Sequence, residues 1–298
     1  MATNNLNGVN WAQIARDAIE FYGSEFFPIN LFATNLSDEI STQGESVTTR
    51  IITGYTSQDV SSGYSGAAQN SVSTAVTTTL SNFKGLPVEF KDIELTKAGD
   101  PEWLTKHFFI PTRDATMKAL ADDLLALITN ANYSNKSTIA VGSFDGDSLA
   151  DIRGELTKRK VPREGRSILL DPDYYTALLK DTSFSDASAS RNQAVLRDGV
   201  LTRARGMDVY EYESIPGNSE NLEGFALSKS ALVVAARPMA NPDDRQVTVA
   251  NLVEPNTGIP FQFRVWYSPN KGVCYMSAGF LYGVSVGQAA ALQRIVSA

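Results

Sequence analysis

The sequence has little of what most catalytic sites depend on. It holds one cysteine, Cys274, which excludes intramolecular disulfides and thiolate metal clusters. It holds one histidine, His107, so Ser-His-Asp catalysis, Cys-His catalysis and any imidazole-bearing metal site would all need that residue. His107 stands beside Phe108 and Phe109 with no nucleophile or orienting carboxylate in a local motif, and a structural or interface role is expected. No run of eighteen apolar residues is present, so no membrane span is expected. The first residues lack the basic and apolar regions of a signal peptide, which leaves the sequons at Asn35, Asn132 and Asn135 with little weight. Surplus positive charge is also missing. With 26 basic against 33 acidic residues the net charge is −7, which argues against a basic nucleic-acid binder. What remains is ordinary globular material: 298 residues, 43% hydrophobic and 20% charged, enough chain for one large domain or two modest ones.

The motifs that could carry chemistry have plainer readings. Cys274 sits between Val273 and Tyr275 in a strand pattern, where a buried, inert thiol is expected. Asp145-Gly146-Asp147 lacks the glycine spacing and terminal Glu of a calcium loop and reads as a helix cap. Asp122 and Asp123 are helical neighbours that diverge by about 100° and do not converge on one substrate. Asp243-Asp244 reads as a solvated turn. Gly63-Tyr64-Ser65-Gly66 is followed by no Gly-Lys-Ser, so it is no phosphate loop. No cofactor, metal or catalytic residue is expected. An α+β enzyme working through carboxylates and Lys stays open as an alternative.

Trp11, Ile14, Ala15, Ala18 and Ile19 recur at helical spacing over 11–21. Residues 41–82 differ from the rest: 18 of these 42 are Ser or Thr, and only Glu45, Arg50 and Asp59 are charged. Val47–Tyr55 and Ser71–Leu80 read as two strands joined by a Gly/Ser tip. Arms of ~12–18 residues would reach roughly 40–60 Å. Such a ribbon buries no core of its own, so it must lie on another part of the chain or on a different molecule. A strand is expected through Val88 and Phe90. The strongest helix, about 112–131, has Met117, Leu120, Ala121, Leu124, Leu125 and Ile128 on one face, with a kinked extension toward Asp100 possible across Pro111. Then come a helix over 147–160, a strand over 167–170, a helix capped by Asp171-Pro172 and a polar loop at 181–190. A strand over 206–212 follows, then mixed signals over 225–236. Strands at 247–253, 261–267 and 273–286 close the pattern.

Val161-Pro162-Arg163-Glu164-Gly165-Arg166-Ser167-Ile168-Leu169-Leu170-Asp171-Pro172-Asp173-Tyr174-Tyr175 is similar to the turn, core strand and Pro-capped helix of the major capsid proteins of tailed bacteriophages, the Hong Kong 97-type (HK97-type) fold. Gly199 to Tyr210 with Ile215-Pro216 resembles that family's approach to a second core strand, and Leu281 to Val286 its closing strand. The likeness covers nearly the whole chain. It implies an α+β capsid fold with an N-arm (1–45) and an extended hairpin, the E-loop (46–83). A P-domain (84–140 and 241–280) would hold a long spine helix and a sheet, beside a mixed α/β A-domain (141–240 and 281–298).

Function, by the same resemblance, is that of a non-enzymatic shell subunit. It would form hexons and pentons around double-stranded DNA, which it touches only weakly and non-specifically. About 45 residues precede the hairpin, so a separate scaffolding protein is implied, with a portal and an optional decoration protein as further partners. The protein would be assembled in the host cytoplasm and end in the virion. Val47, Arg50, Ile52, Tyr55, Tyr64 and Val76 are the expected intersubunit contacts. Gly199, Gly206 and Gly283 are expected at structural turns, and Leu120, Leu124 and Ile128 in the spine-helix core. The loops 181–192 and 216–224 are both candidates to line the capsomer centre. No Lys lies in the hairpin tip, so covalent crosslinking is not expected. An encapsulin-like nanocompartment shell is the nearest alternative, and an adhesin or tail component a more distant one.

Overall fold

The structure is a computed structural model that describes residues 29–37, 44–52, 57, 59–61, 63, 73–93, 110–185, 200–240, 247–254 and 257–298. The expected helix over 11–21, His107, Asp243-Asp244, Tyr55, Tyr64 and Gly199 lie outside them. Helix and strand are both plentiful, and two six-stranded sheets organise the chain.

The first sheet is built on β13 (Val273–Val286), fourteen residues long. Its first half pairs antiparallel with β12 (Pro260–Ser268), which pairs with β11 (Val247–Val253). Its second half pairs with β10 (Leu232–Arg237), and β4 (Asn82–Lys91) runs along its opposite edge from Val273 to Tyr282. β1 (Thr34–Asn35) follows the short helix α1 (Ile29–Phe32) and adds in parallel to β10. Alternation puts Cys274, Met276, Ala278, Phe280 and Tyr282 on one face, all buried.

The long helix α2 (Ile110–Leu125) packs on that face, against β13 and β4. Leu120, Leu124 and Ile128 are each fully buried there, as their spacing implies. Pro111 stands in the first turn, where its missing N–H costs nothing. The helix ends at Leu125 rather than near 131, although the apolar period continues. The reason is distant in sequence: the Asn218 side chain donates to the Leu125 and Ile128 carbonyls at 3.1 and 2.7 Å. These side-chain caps take the carbonyls that further helix would have used.

The second sheet has the order β5 (Lys136–Thr138), β14 (Leu292–Val296), β9 (Leu222–Ser228), β6 (Arg166–Leu170), β8 (Met207–Glu211), β7 (Arg203–Ala204). Every residue of β6 and β14 is buried. Helix α3 (Gly146–Lys158) buries Leu149, Ile152 and Leu156, and helix α4 (Pro172–Lys180) buries Tyr174, Tyr175 and Leu178. Asp145 caps α3 through a reciprocal box with Ser148, and Asp171 caps α4 with Pro172 behind it. A short helix, α5 (Thr182–Ser185), occupies the start of the stretch read as a polar loop.

Several expected boundaries move. Residues 225–236 resolve into two strands, and the second, β10, joins the first sheet although 141–240 were grouped as one unit. β13 runs unbroken across the expected division at 280/281, because β10 continues the edge where β12 stops. The strand that closes the α/β sheet is β14, not Leu281–Val286. β5 belongs with β14, which carries 136–138 into the second sheet. Among the described residues no helix is long and apolar enough to cross a membrane.

Candidate assembly surfaces

β2 (Ser46–Ile52) and β3 (Ser73–Thr79) pair antiparallel as a separate two-stranded sheet, so the Ser/Thr-rich hairpin is real. Its described arms are seven residues each, and its register sorts the side chains. Val47 faces Thr78, Thr49 faces Val76 and Ile51 faces Thr74 on one side. Thr48 and Thr77, with Arg50 and Ala75, share the other. The expected contact residues therefore do not form one surface: Val47 and Val76 lie on the opposite face from Arg50. Arg50 is exposed and Val76 half-buried.

The root of the ribbon is seated on its own subunit, the first of the two placements left open for it. Val47 and Leu80 are buried in a small cluster with Leu36, Val233 and Ala235, backed by Leu281. Thr78 is fully buried, and its hydroxyl lies 2.5 Å from that of Ser285. Val47, expected at an intersubunit contact, is thus buried at the root of the ribbon on its own subunit. The cause is the outer face of β10 and β13, which offers small side chains at Val233, Ala235, Gly283 and Ser285.

Gly283 makes this seat possible. It lies within β13 and not at a turn, as had been expected. A Cβ there would run into the Thr79 carbonyl oxygen and stand 2.8 Å from its carbon. Gly206 is different. It has φ +84° and follows Arg205 at φ +49° in the two-residue connection between β7 and β8, with only the Arg153 Nε near a Cβ position. Two consecutive positive φ values mark a type I′ hairpin turn, so backbone conformation is what requires glycine there.

Asp123 ties the helix to the strand that leaves the hairpin. It accepts from the Tyr282 hydroxyl at 2.5 Å and from Asn82 at 3.2 Å, and pairs with Lys84 at 3.4 Å. Burial, then the Asp123 carboxylate, hold the Tyr282 hydroxyl far above the ordinary tyrosine range. Asp122 points elsewhere, to Lys118, so the two carboxylates diverge as the helix geometry requires.

Buried charges outside any sequence motif hold the second sheet. The Arg294 guanidinium, 1% exposed, donates to the Tyr133 carbonyl, Asn130 and Glu220. Arg166 meets no carboxylate among the described residues. It donates to the carbonyls of Arg153, Val161 and Pro162 around the C-terminal end of α3 and to the Thr157 hydroxyl. Desolvation lowers its pKa, helped by the nearby Arg153 and Arg163. Within 216–224, one of the two loops expected as candidates to line the capsomer centre, Asn218 and Glu220 lie against the end of α2 and β14.

No catalytic arrangement stands out among the described residues. No group of three metal-ligating side chains occurs there. Burial pushes the Cys274 thiol up to about 11, as an inert core residue. A groove of ≈ 580 Å³ beside α3 and α4 is lined by Phe144, Asp145, Lys180 and Asp181, but Asp145 and Asp181 are both occupied with helix-end N–H groups.

No protein-family profile and no curated protein matches the chain by sequence. Solved structures match it by shape. A chain from Mycobacterium phage Che8 is 19% identical, with 91% of each chain covered and a TM-score of 0.64. A chain of the capsid of cyanophage P-SCSP1u is 12% identical, covering 90% of this chain and 86% of that one at a TM-score of 0.65. The mature capsid of bacteriophage PhiM1 gives 10%, 90% and 86%, and 0.63. The chain therefore has the α+β fold of phage capsid chains over about nine-tenths of its length.

Proposed function

We propose that the chain is the major capsid protein of a tailed double-stranded DNA bacteriophage, assembling as hexamers and pentamers into an icosahedral shell around the genome. The observation that carries this is the shared fold across nine-tenths of the chain. In this reading 1–45 is the N-arm, β2 and β3 belong to the E-loop, α2 is the spine helix in the P-domain, and the second sheet is the core of the A-domain. The distal part of the ribbon, with Arg50, Val76, Tyr55 and Tyr64, lies on a neighbouring subunit. A separate scaffolding protein and a portal complete the particle, and a net charge of −7 keeps packaged DNA only loosely held.

Deletion of the tip, Ser57 to Asn70, tests the reading. The full chain should sediment in the megadalton range, alone or with co-expressed scaffold. The deletion should leave a soluble, cooperatively melting subunit that no longer closes shells. A full chain that remains a small oligomer under both conditions would favour the enzyme alternative. Shells that co-purify with a cargo enzyme instead of DNA would favour the nanocompartment.

A further inference from the structure

The net charge of −7 conceals an uneven distribution. Residues 153–166 hold six basic side chains and two acidic ones, in a chain with 26 basic and 33 acidic residues in all. The segment covers the second half of α3, the turn after it and the first residue of β6. Half of its cations serve the fold. Arg159 donates to the Leu292 carbonyl and to the Gln293 side chain of β14. Arg166 is buried among carbonyls, and Lys158 pairs with Glu155 at 2.6 Å. The other half, Arg153, Lys160 and Arg163, are exposed and have no ion pair among the described residues.

Arg166 holds these charges together. Its guanidinium donates to the Arg153 carbonyl at 3.2 Å, and after desolvation the charges of Arg153 and Arg163 act on it, so the three are neighbours. Arg153 Nε also stands 3.6 Å from the Cβ position of Gly206, which sets it on the β7–β8 turn beside the exposed Arg205. Arg205 leans toward Asp147, 3.8 Å away. Of the two carboxylates in 153–166, Glu155 is taken by Lys158, and Glu164 alone is left to offset the cluster. Crowded like charges oppose folding, and a cluster kept against that cost marks a place where an opposite charge is received.

We propose that Arg153, Lys160 and Arg163 form a contact surface for the phosphate backbone of duplex DNA. The planar fork of each arginine matches phosphate oxygens. The surface has the chemistry of a nucleic-acid contact, polar and positive. Protein interfaces centre on apolar and aromatic side chains, and among the described residues no exposed large hydrophobic lies in 153–166. The Cβ positions of Gly154 and Gly165 meet nothing within 4 Å, so the backbone between the cations is open to a ligand. Three cations give few contacts, which suits weak binding without sequence preference. That the DNA is a packaged genome rests on the shell reading, in which this side of the second sheet turns inward. The phosphate contact itself does not depend on that reading.

The full chain, kept below its assembly concentration, is titrated with a short labelled duplex of arbitrary sequence over a series of salt concentrations and read by fluorescence anisotropy. With about 0.9 of logarithmic slope per phosphate contact, log K should fall against log salt with a slope of about −2.7 in the parent and about −0.9 in Arg153→Gln/Arg163→Gln. In dilute salt that variant should bind at least roughly tenfold more weakly. Both positions are exposed, so it should melt as the parent does. Lys118→Gln/Lys229→Gln removes the same charge from exposed positions elsewhere and should keep the parent slope. A parent that binds no duplex, equal losses in the two double variants, or polyglutamate competing as well as DNA would each overturn the surface and leave the capsid reading standing. A chain that binds duplex through Arg153 and Arg163 but forms no shells would uphold the surface and overturn the capsid reading.

Discussion

Gly283→Ala is the sharpest test of how the hairpin is seated. The new Cβ would overlap the Thr79 carbonyl oxygen and stand 2.8 Å from its carbon and 3.2 Å from the Thr78 Cγ2. The obstacle is backbone, so no side-chain rotation relieves it. The ribbon must lift, which strains the Thr78–Ser285 hydroxyl contact and loosens Val47 and Leu80 in their cluster. Overpacking of this kind costs about 1–3 kcal/mol. Replacing glycine stiffens the unfolded chain and returns about 0.4–1 kcal/mol, so a net loss of about 1–2 kcal/mol is expected. Gly154→Ala is the control. It lies in α3 with nothing within 4 Å of its Cβ position, and helix propensity alone should stabilise it by up to about 1 kcal/mol. Urea unfolding of both variants gives the signs. Hydrogen exchange shows whether the loss sits in 46–52 and 73–79. A Gly283→Ala protein as stable as the parent, with unchanged protection in the ribbon, would refute the reasoning.

Leu124→Ala should cost roughly 2–5 kcal/mol through lost burial and the cavity left under β13, read by chemical denaturation; a soluble, assembling Leu124→Asp would show that the helix face is misassigned. Arg294→Met should cost about 3–5 kcal/mol by stranding the Glu220 carboxylate and the Asn130 and Tyr133 oxygens; a change within experimental error would mean the network contributes nothing. Gly206→Val should cost about 1–3 kcal/mol from backbone strain alone, and a well-folded, assembling protein would contradict it. Asp181 is the pH probe. Burial would raise its pKa, but N–H groups of Ser183 and Gly146, the Ser183 hydroxyl and Arg205 outweigh it and hold the pKa below the ordinary value. Its contribution is therefore present above about pH 4 and lost as pH falls further. Asp181→Asn should flatten the acid limb of the stability curve there, and an unchanged limb would count against the assignment.

The parts legible in the sequence were those decided locally. The one-sided run from Met117 to Ile128 could only be a helix against a core, and Asp171-Pro172 could only begin another. The strands of the last fifty residues announced themselves by alternation and by Gly- and Pro-bearing turns. Features set by distant partners were not legible. The end of α2 depends on Asn218, some ninety residues away, and no local stop signal marks it. Gly283 sits in an ordinary strand pattern, and only the crossing of the ribbon explains it. Arg166 and Arg294 look like surface charges because polarity alone does not say that carbonyls wait for them inside. The hairpin was found from composition, yet its faces were not, because a shift of one residue in register exchanges them.

Electron microscopy of the purified full chain, alone and with co-expressed scaffold, tests the central claim most directly. Closed shells of uniform diameter built from hexameric and pentameric units are the predicted result. A chain that stays a compact small oligomer under both conditions would contradict it.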